Sequence, residues 1–294
     1  MGTRSYHWVM DPLSLSETFG EALTAWKRDC LASGQSMRTI TSRAYTLRRL
    51  AAAGVDPMTA TRDELTEWLA NLRDSRTGRV AAKSSMVTYR AQIRAFCGWL
   101  VDTGRRADDP TLKLPRPKSP RGVPRPLTSA QVEAILAACA DHRARQTRAY
   151  VILAAYAGLR VHEIAQVRGE DVQHGELWVD GKGGTRSSLP MHPALAALAG
   201  TMPTRGWWFP TDSIEGHVHR CSVSSAIKRA MVRADVPGTP HALRHHYGTQ
   251  VLIASGGNLR VTQRALRHAS PATTAIYTQV PDDSLRMAIA GIPA

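Results

Sequence analysis

The sequence predicts a mostly α-helical chain with one small antiparallel β-sheet, arranged as two domains joined by a basic linker. Three observations lead there. Apolar residues recur at the 3.6-residue helical period through most of the 294 positions, the period drops to two between about 177 and 191, and residues 108–126 have no hydrophobic period at all.

In the first domain, residues 1–107, the periodicity predicts four helices over 14–32, 37–53, 62–74 and 82–103, separated by Gly, Asp or Pro. Thr61-x-x-Glu64 is a capping box that opens the third. In the second, Ile40, Ala44, Leu47 and Ala51 face a core, while Arg38, Ser42, Tyr45 and Arg49 line the opposite side. The fourth sets Met86, Ile93, Phe96 and Leu100 against a face with Lys83, Arg90 and Arg94. One such stripe is usually a solvated surface, but two in one small basic bundle point to a nucleic-acid contact.

Between the domains, DDPTLKLPRPKSPRGVPRP packs six prolines and five cations into nineteen residues, the composition of a stiff, extended linker. Its Lys113, Arg116 and Lys118 join the candidate DNA contacts.

The second domain, residues 127–294, opens with Thr128-x-x-Gln131 and a helix to about Cys139. A strongly apolar helix follows from about Arg148 to Ala157, then a short one containing Glu163. Leu177 and Val179 alternate with Trp178, Gly181 to Gly184 turn the chain, and Arg186 to Met191 return it, which describes a β-hairpin with Lys182 at its tip. Helices resume near 193–199, 219–234, 240–254, 259–267 and 271–278. The tail, residues 281–294, has too few apolar residues to form its own core.

Composition narrows the function. A 43% hydrophobic content argues against intrinsic disorder. The longest apolar run, Tyr150 to Leu159, is ten residues, about half of the ~20 needed to cross a bilayer, and no signal-peptide pattern opens the chain, so a cytoplasmic protein of a bacterial host is expected. The four cysteines lie far apart, without a Cys-x-x-Cys pair, which argues against a zinc ribbon or a disulfide scaffold. Lys and Arg exceed Asp and Glu by 38 to 24, a net charge of +14 that makes a polyanion the default partner. The excess is +6 over 1–107, +3 over 108–126 and +5 over 127–294, so it belongs to no single segment.

Common chemistries are absent by motif. The GKGGTR turn lacks the spacing of a phosphate-cradling P-loop. His162-Glu163 begins like a zinc-protease helix, but Gln166 stands where the second His belongs. His217-x-His219-x-Cys221 has no matching fourth ligand, and no Asp/Glu cluster suggests two metals, so neither a metal nor another cofactor is expected.

What remains is a set of cations and one tyrosine. Thr239-Pro240 reads as an N-cap with Pro at the first helical position, which puts His241 and Arg244 on one face of an opening turn suited to a phosphate. Ser270-Pro271 caps the helix carrying Tyr277, with His268 just before it, and Gly158 turns the chain so that Arg160 leaves the core. Each element alone is weak.

In order, Ala-Gly-Leu-Arg160-x-x-Glu163, Gly-Lys182-Gly-Gly, His241-x-Leu-Arg244-His245, Leu-Arg-His268 and Thr273-Thr-x-Ile-Tyr277-Thr resemble the tyrosine recombinase (phage integrase) family. The resemblance covers the catalytic half by motif and the helical bundle by layout, since that family has a helical, SAM-like core-binding domain whose pair with the catalytic domain clamps double-stranded DNA. Three departures stand out: Arg267 where the family usually has Gly, His246 where a small residue is usual, and Gln279 where His is frequent.

The resemblance implies a metal- and ATP-independent strand transferase. Arg160 and Arg244 would hold the non-bridging oxygens, His241 would take a proton from Tyr277, and His268 would bond a phosphate oxygen. Lys182 would protonate the departing 5′-oxygen, and Glu163 would orient a neighbouring group. It further implies a monomer or weak dimer in solution, a tetramer on a core-type DNA site, a tail that docks on the next protomer and a possible directionality factor. A compact integrase is the leading expectation, since a first helix near residue 14 leaves no room for an arm-binding domain. A Xer-type resolving recombinase, a type IB topoisomerase and a non-catalytic DNA-binding protein are the alternatives.

Overall fold

A computed structural model describes residues 18–74, 77–117, 126–180 and 186–267. The chain divides into two compact units, 1–121 and 122–294.

The first unit is built from α1 (Phe19–Ala32), α2 (Met37–Ala52), α3 (Arg62–Ala70) and α4 (Lys83–Asp102). The first helix starts five residues later than the periodicity predicts. Thr18 adopts an extended conformation and forms a capping box with Glu21, the same signature that opens α3 at Thr61 and Glu64. Trp26, Ile40, Leu47, Phe96 and Leu100 bury one end of the core, with the Trp26 and Phe96 rings edge to face at 5.3 Å. Leu50, Leu65, Leu69, Ile93 and Leu114 bury the other. Ser42 and Thr46 both bond Gln92, a polar ladder that fixes how α2 meets α4.

Leu114 corrects the reading of 108–126 as extended linker. Its first part folds back: Thr111 and Leu114 are buried, and the Arg90 guanidinium donates to the Leu114 carbonyl at 3.2 and 3.0 Å. Two residues can anchor a segment whose composition is otherwise that of a linker, because each is chosen by contact and not by period.

The second unit is organised around α6 (Arg145–Tyr156), with Ala149 to Ala155 all buried. Around it stand α5 (Ser129–Ala137), α7 (Val161–Ala165), α8 (Pro193–Ala199), α9 (Arg220–Arg233), α10 (His241–Ala254) and α11 (Leu259–Ala265). The Thr128/Gln131 capping box opens α5. The sheet has three antiparallel strands in the order β1 (Val172–Gln173), β2 (Glu176–Asp180), β3 (Arg186–Pro190); the two-residue β1 is too short to leave a period. Leu177 pairs with Leu189, and both are buried with Val179 on the face turned to the core. The helix predicted over 271–278 and the tail lie outside the described residues. His246, one of the three departures, is buried and its Nδ1 donates to the Leu127 carbonyl at 2.7 Å, which ties the start of the unit to α10. No helix among the described residues is long and apolar enough to cross a membrane.

Candidate active site

The site begins where α6 ends. Gly158 takes φ of 60°, which turns the chain through buried Leu159 to Arg160 ahead of α7. The Tyr247 ring of α10 fills the space a side chain at Gly158 would need. At the head of α7, Glu163 closes back on the Arg160 N–H through Oε2 at 2.7 Å, the glutamate half of a capping box. Its Oε1 accepts from Arg160 Nη1 at 2.8 Å.

Two further arginines reach the same carboxylate. Arg267 donates from Nη2 to Glu163 Oε2 at 2.8 Å, and Arg244 Nη1 lies 3.9 Å from it. Burial alone would raise the Glu163 pKa, but Arg267, the Arg160 amide, Arg244 and the Arg160 side chain together hold it below the usual carboxylate value. Glu163 is therefore ionised at neutral pH, and three guanidiniums against one carboxylate leave the cluster cationic.

The arginines differ in burial. Arg160 keeps 37% of its side chain exposed, whereas Arg244 is only 1% exposed. Arg244 donates from Nη1 to the Gly158 carbonyl and from Nη2 to the Leu266 carbonyl. Both carbonyls come from left-handed turns, at Gly158 itself and at Arg267 with φ of 53°.

The opening turn of α10 corrects one expectation. Pro240, not Thr239, is the cap; it already has helical angles and makes no side-chain cap bond. Proline fixes φ near its helical value, so the turn tightens and the Ala242 N–H takes the Thr239 carbonyl at 2.9 Å, leaving fewer amides for an anion. His241 lines a cleft of about 320 Å³ together with Leu159, Arg160, His162, Ser224 and Thr239. Its ring meets His245 edge to face at 4.5 Å. Part of the ring reaches solvent, yet desolvation in the cleft, helped by His245, Arg244 and Arg160, pushes its pKa down to about 4. An imidazole so placed is neutral at pH 7 and free to accept a proton.

Arg160, Glu163, His241 and Arg244 are thus brought together, while Lys182, His268 and Tyr277 lie outside the described residues. Arg267 shows in the sequence only as a departure from the family pattern, and nothing there marks Tyr247; the signal for Arg267 is an arginine where a helix-ending turn favours Gly. His217, weighed as a metal ligand, bonds the Val218 carbonyl through Nδ1 and packs on Trp207 at 4.6 Å. Among the described residues no group of three His, Cys, Asp or Glu is placed to hold a metal.

Residues 125–283 match the profile of the phage integrase family. The chain is 33% identical to the tyrosine recombinase XerC of Erythrobacter litoralis, over 84% of this chain and 83% of the relative. It is also 33% identical to XerD of Xanthomonas axonopodis pv. citri, over 66% and 71%. In fold it resembles the lambda integrase tetramer bound to a Holliday junction, at a TM-score of 0.68 and 18% identity, over 90% of this chain and 80% of that one. The chain belongs to the phage integrase family. Tyrosine recombinases cleave and rejoin DNA, and the second unit is where this recombinase matches the family.

The cations expected to bind DNA from the first unit divide in two. Arg38, Lys83, Arg94, Lys113 and Arg116 are exposed. Arg49 instead bonds the Arg73 carbonyl and, at 3.1 Å, the Tyr89 hydroxyl, and Arg90 is held by Leu114. Those two guanidiniums bind their own unit, which helix-face reasoning does not detect. Lys118 lies outside the described residues.

Proposed function

We propose that this recombinase cleaves one DNA strand by attack of Tyr277 on a phosphodiester, acting as an integrase on a phage or mobile-element attachment site. The observation that carries the reading is the grouping of Arg160 and Arg244 around ionised Glu163, with neutral His241 lining the same cleft as Arg160. Phosphoryl transfer without a metal needs cations to hold the charge that builds on the non-bridging oxygens. Arg160 supplies one from the cleft lining and buried Arg244 another. His241 receives the tyrosine proton as the P–O bond forms, Lys182 gives one to the departing 5′-oxygen, and His268 bonds the phosphate. The products are a 3′-phosphotyrosyl link and a 5′-hydroxyl, and the partner strand's hydroxyl reverses the step without ATP. Four protomers on one site, with a directionality factor setting the outcome, are the assembly proposed; the lambda integrase tetramer supports it by fold.

A Xer-type role in resolving chromosome dimers is the second reading, favoured by the identity to XerC and XerD. The integrase reading is favoured by His246, Arg267 and Gln279, which depart from the common motif. An attachment site in the DNA flanking the gene separates the two.

A nicked duplex carrying the site is expected to trap wild-type protein as a covalent adduct, in EDTA as well as in magnesium. Tyr277→Phe is expected to trap none. An adduct from that variant removes Tyr277 as nucleophile, and loss of adduct in EDTA revives a metal mechanism. The pH profile gives a second check. The ratio kcat/KM reports groups of the free enzyme, and His241 is active when neutral, so activity is lost as pH falls through about 4. An acid limb that stays in place in His241→Gln removes His241 as the acceptor.

A further inference from the structure

We propose that Arg267 is a positioning residue of the cleavage site, one that saturates Glu163 and so keeps Arg160 and Arg244 directed at the phosphate. This rests on the reading that the cluster serves strand cleavage, and deepens it.

Arg267 sits where backbone physics prefers another residue. With φ of 53° it occupies the left-handed region just after α11, where glycine carries no penalty and a side chain does. Such strain persists only where surrounding contacts enforce it. The contacts here are specific. The guanidinium is 6% exposed and gives Nη2 to Glu163 and Nη1 to the Ala157 carbonyl at 3.4 Å. Its Nε is buried without a hydrogen-bond partner among the described residues, so the two Nη contacts hold the group. Arg244 takes the Gly158 carbonyl next door, and its other Nη takes the Leu266 carbonyl that the turn at 267 presents. The two arginines therefore clamp one turn, residues 157 and 158, from which Arg160 emerges two residues later.

Glu163 explains what the clamp does. The groups facing it are Arg160 at the head of α7, Arg244 of α10 and Arg267 after α11. Oε2 already accepts the Arg160 amide and Arg267. Remove Arg267, and Oε2 has room to draw Arg244 Nη1 across 3.9 Å, away from Gly158. The carboxylate also loses its strongest cationic neighbour and titrates at higher pH.

The substrate can be supplied without knowing the site. Nicked duplexes with a randomised core are incubated with wild-type protein, and those retained as covalent adducts are sequenced and used. Adduct formation is then timed at pH 7 for wild type, Arg267→Gln, Arg267→Gly, Arg267→Lys, Glu163→Gln and the double variant Glu163→Gln/Arg267→Gln, with duplex Kd and melting temperature alongside. Arg267→Gln is expected to slow adduct formation by ~10–100-fold, the size of effect a small misplacement produces, at unchanged Kd. Arg267→Lys, which can still pair with Glu163, should restore most of the rate, and the double variant should be no slower than Glu163→Gln, as coupled residues require. Arg267→Gly, which relieves the backbone, should show the same loss and carries the test if Arg267→Gln melts early. A wild-type rate in either neutral variant, no rescue by Arg267→Lys, or multiplicative losses in the double variant overturns the proposal. Wild-type protein that captures no duplex instead overturns the cleavage reading itself, and this inference with it.

Discussion

Arg160→Ala and Arg244→Ala are both expected to lose strand cleavage, by at least the ~10²–10³ that removal of one transition-state donor costs, but only Arg244→Ala should lose stability. Arg160 is 37% exposed and its one ion pair is replaceable, because Glu163 keeps Arg267 and the residue-160 amide. Truncating Arg244 leaves the Gly158 and Leu266 carbonyls buried without their donor, at ~1–3 kcal/mol each. The sum, about 2–6 kcal/mol, corresponds to roughly 4–24 °C in Tm for a unit of this size. Melting curves beside the adduct assay check both halves. Equal melting of the two variants would mean that Arg244 faces the cleft alone and does not hold it together; cleavage at the wild-type rate in Arg160→Ala would move that residue to the DNA-docking surface.

That contrast is the part of the site the sequence could not express. Motif order placed Arg160, Glu163, His241 and Arg244 in one site, and caps and periods located the helices from α2 to α11 closely. Thr61/Glu64 and Thr128/Gln131 were legible because a capping box is a contact between residues three apart. Burial of a cation was not legible. Arg244 meets partners 86 and 22 positions away, and Arg267 meets Glu163 across 104. A helical face says which residues share a side, not what lies opposite. The same limit hid Arg90 and Leu114, where one arginine taken for a DNA contact anchors the start of the linker. Thr239 misled for another reason: a threonine before Pro matches the capping pattern, and the pinned φ of Pro240 let the backbone carbonyl do the work of the side chain.

Gly158→Ala is expected to damage the fold heavily for the addition of a single carbon. A Cβ there would stand 2.8 Å from Tyr247 Cε1, closer to Cδ1, and 3.1 Å from Cγ. The obstacle is a half-buried ring, not the free end of a flexible chain. Overpacking of this kind costs ~1–3 kcal/mol, and a left-handed residue bearing a side chain adds ~1–2 kcal/mol. Gly175 provides the control: its φ is 77°, and a Cβ would meet nothing within 4 Å. Gly175→Ala should therefore show the backbone penalty alone, and the difference between the two melting temperatures isolates the ring. The effect on function should exceed the effect on stability. Moving the 158 turn shifts the carbonyl that holds Arg244 and, two residues on, the backbone that sets Arg160, so cleavage should fail in Gly158→Ala at temperatures where the protein is still folded. Adduct formation in step with the folded fraction would show that the turn supports the fold and leaves the arginines in place.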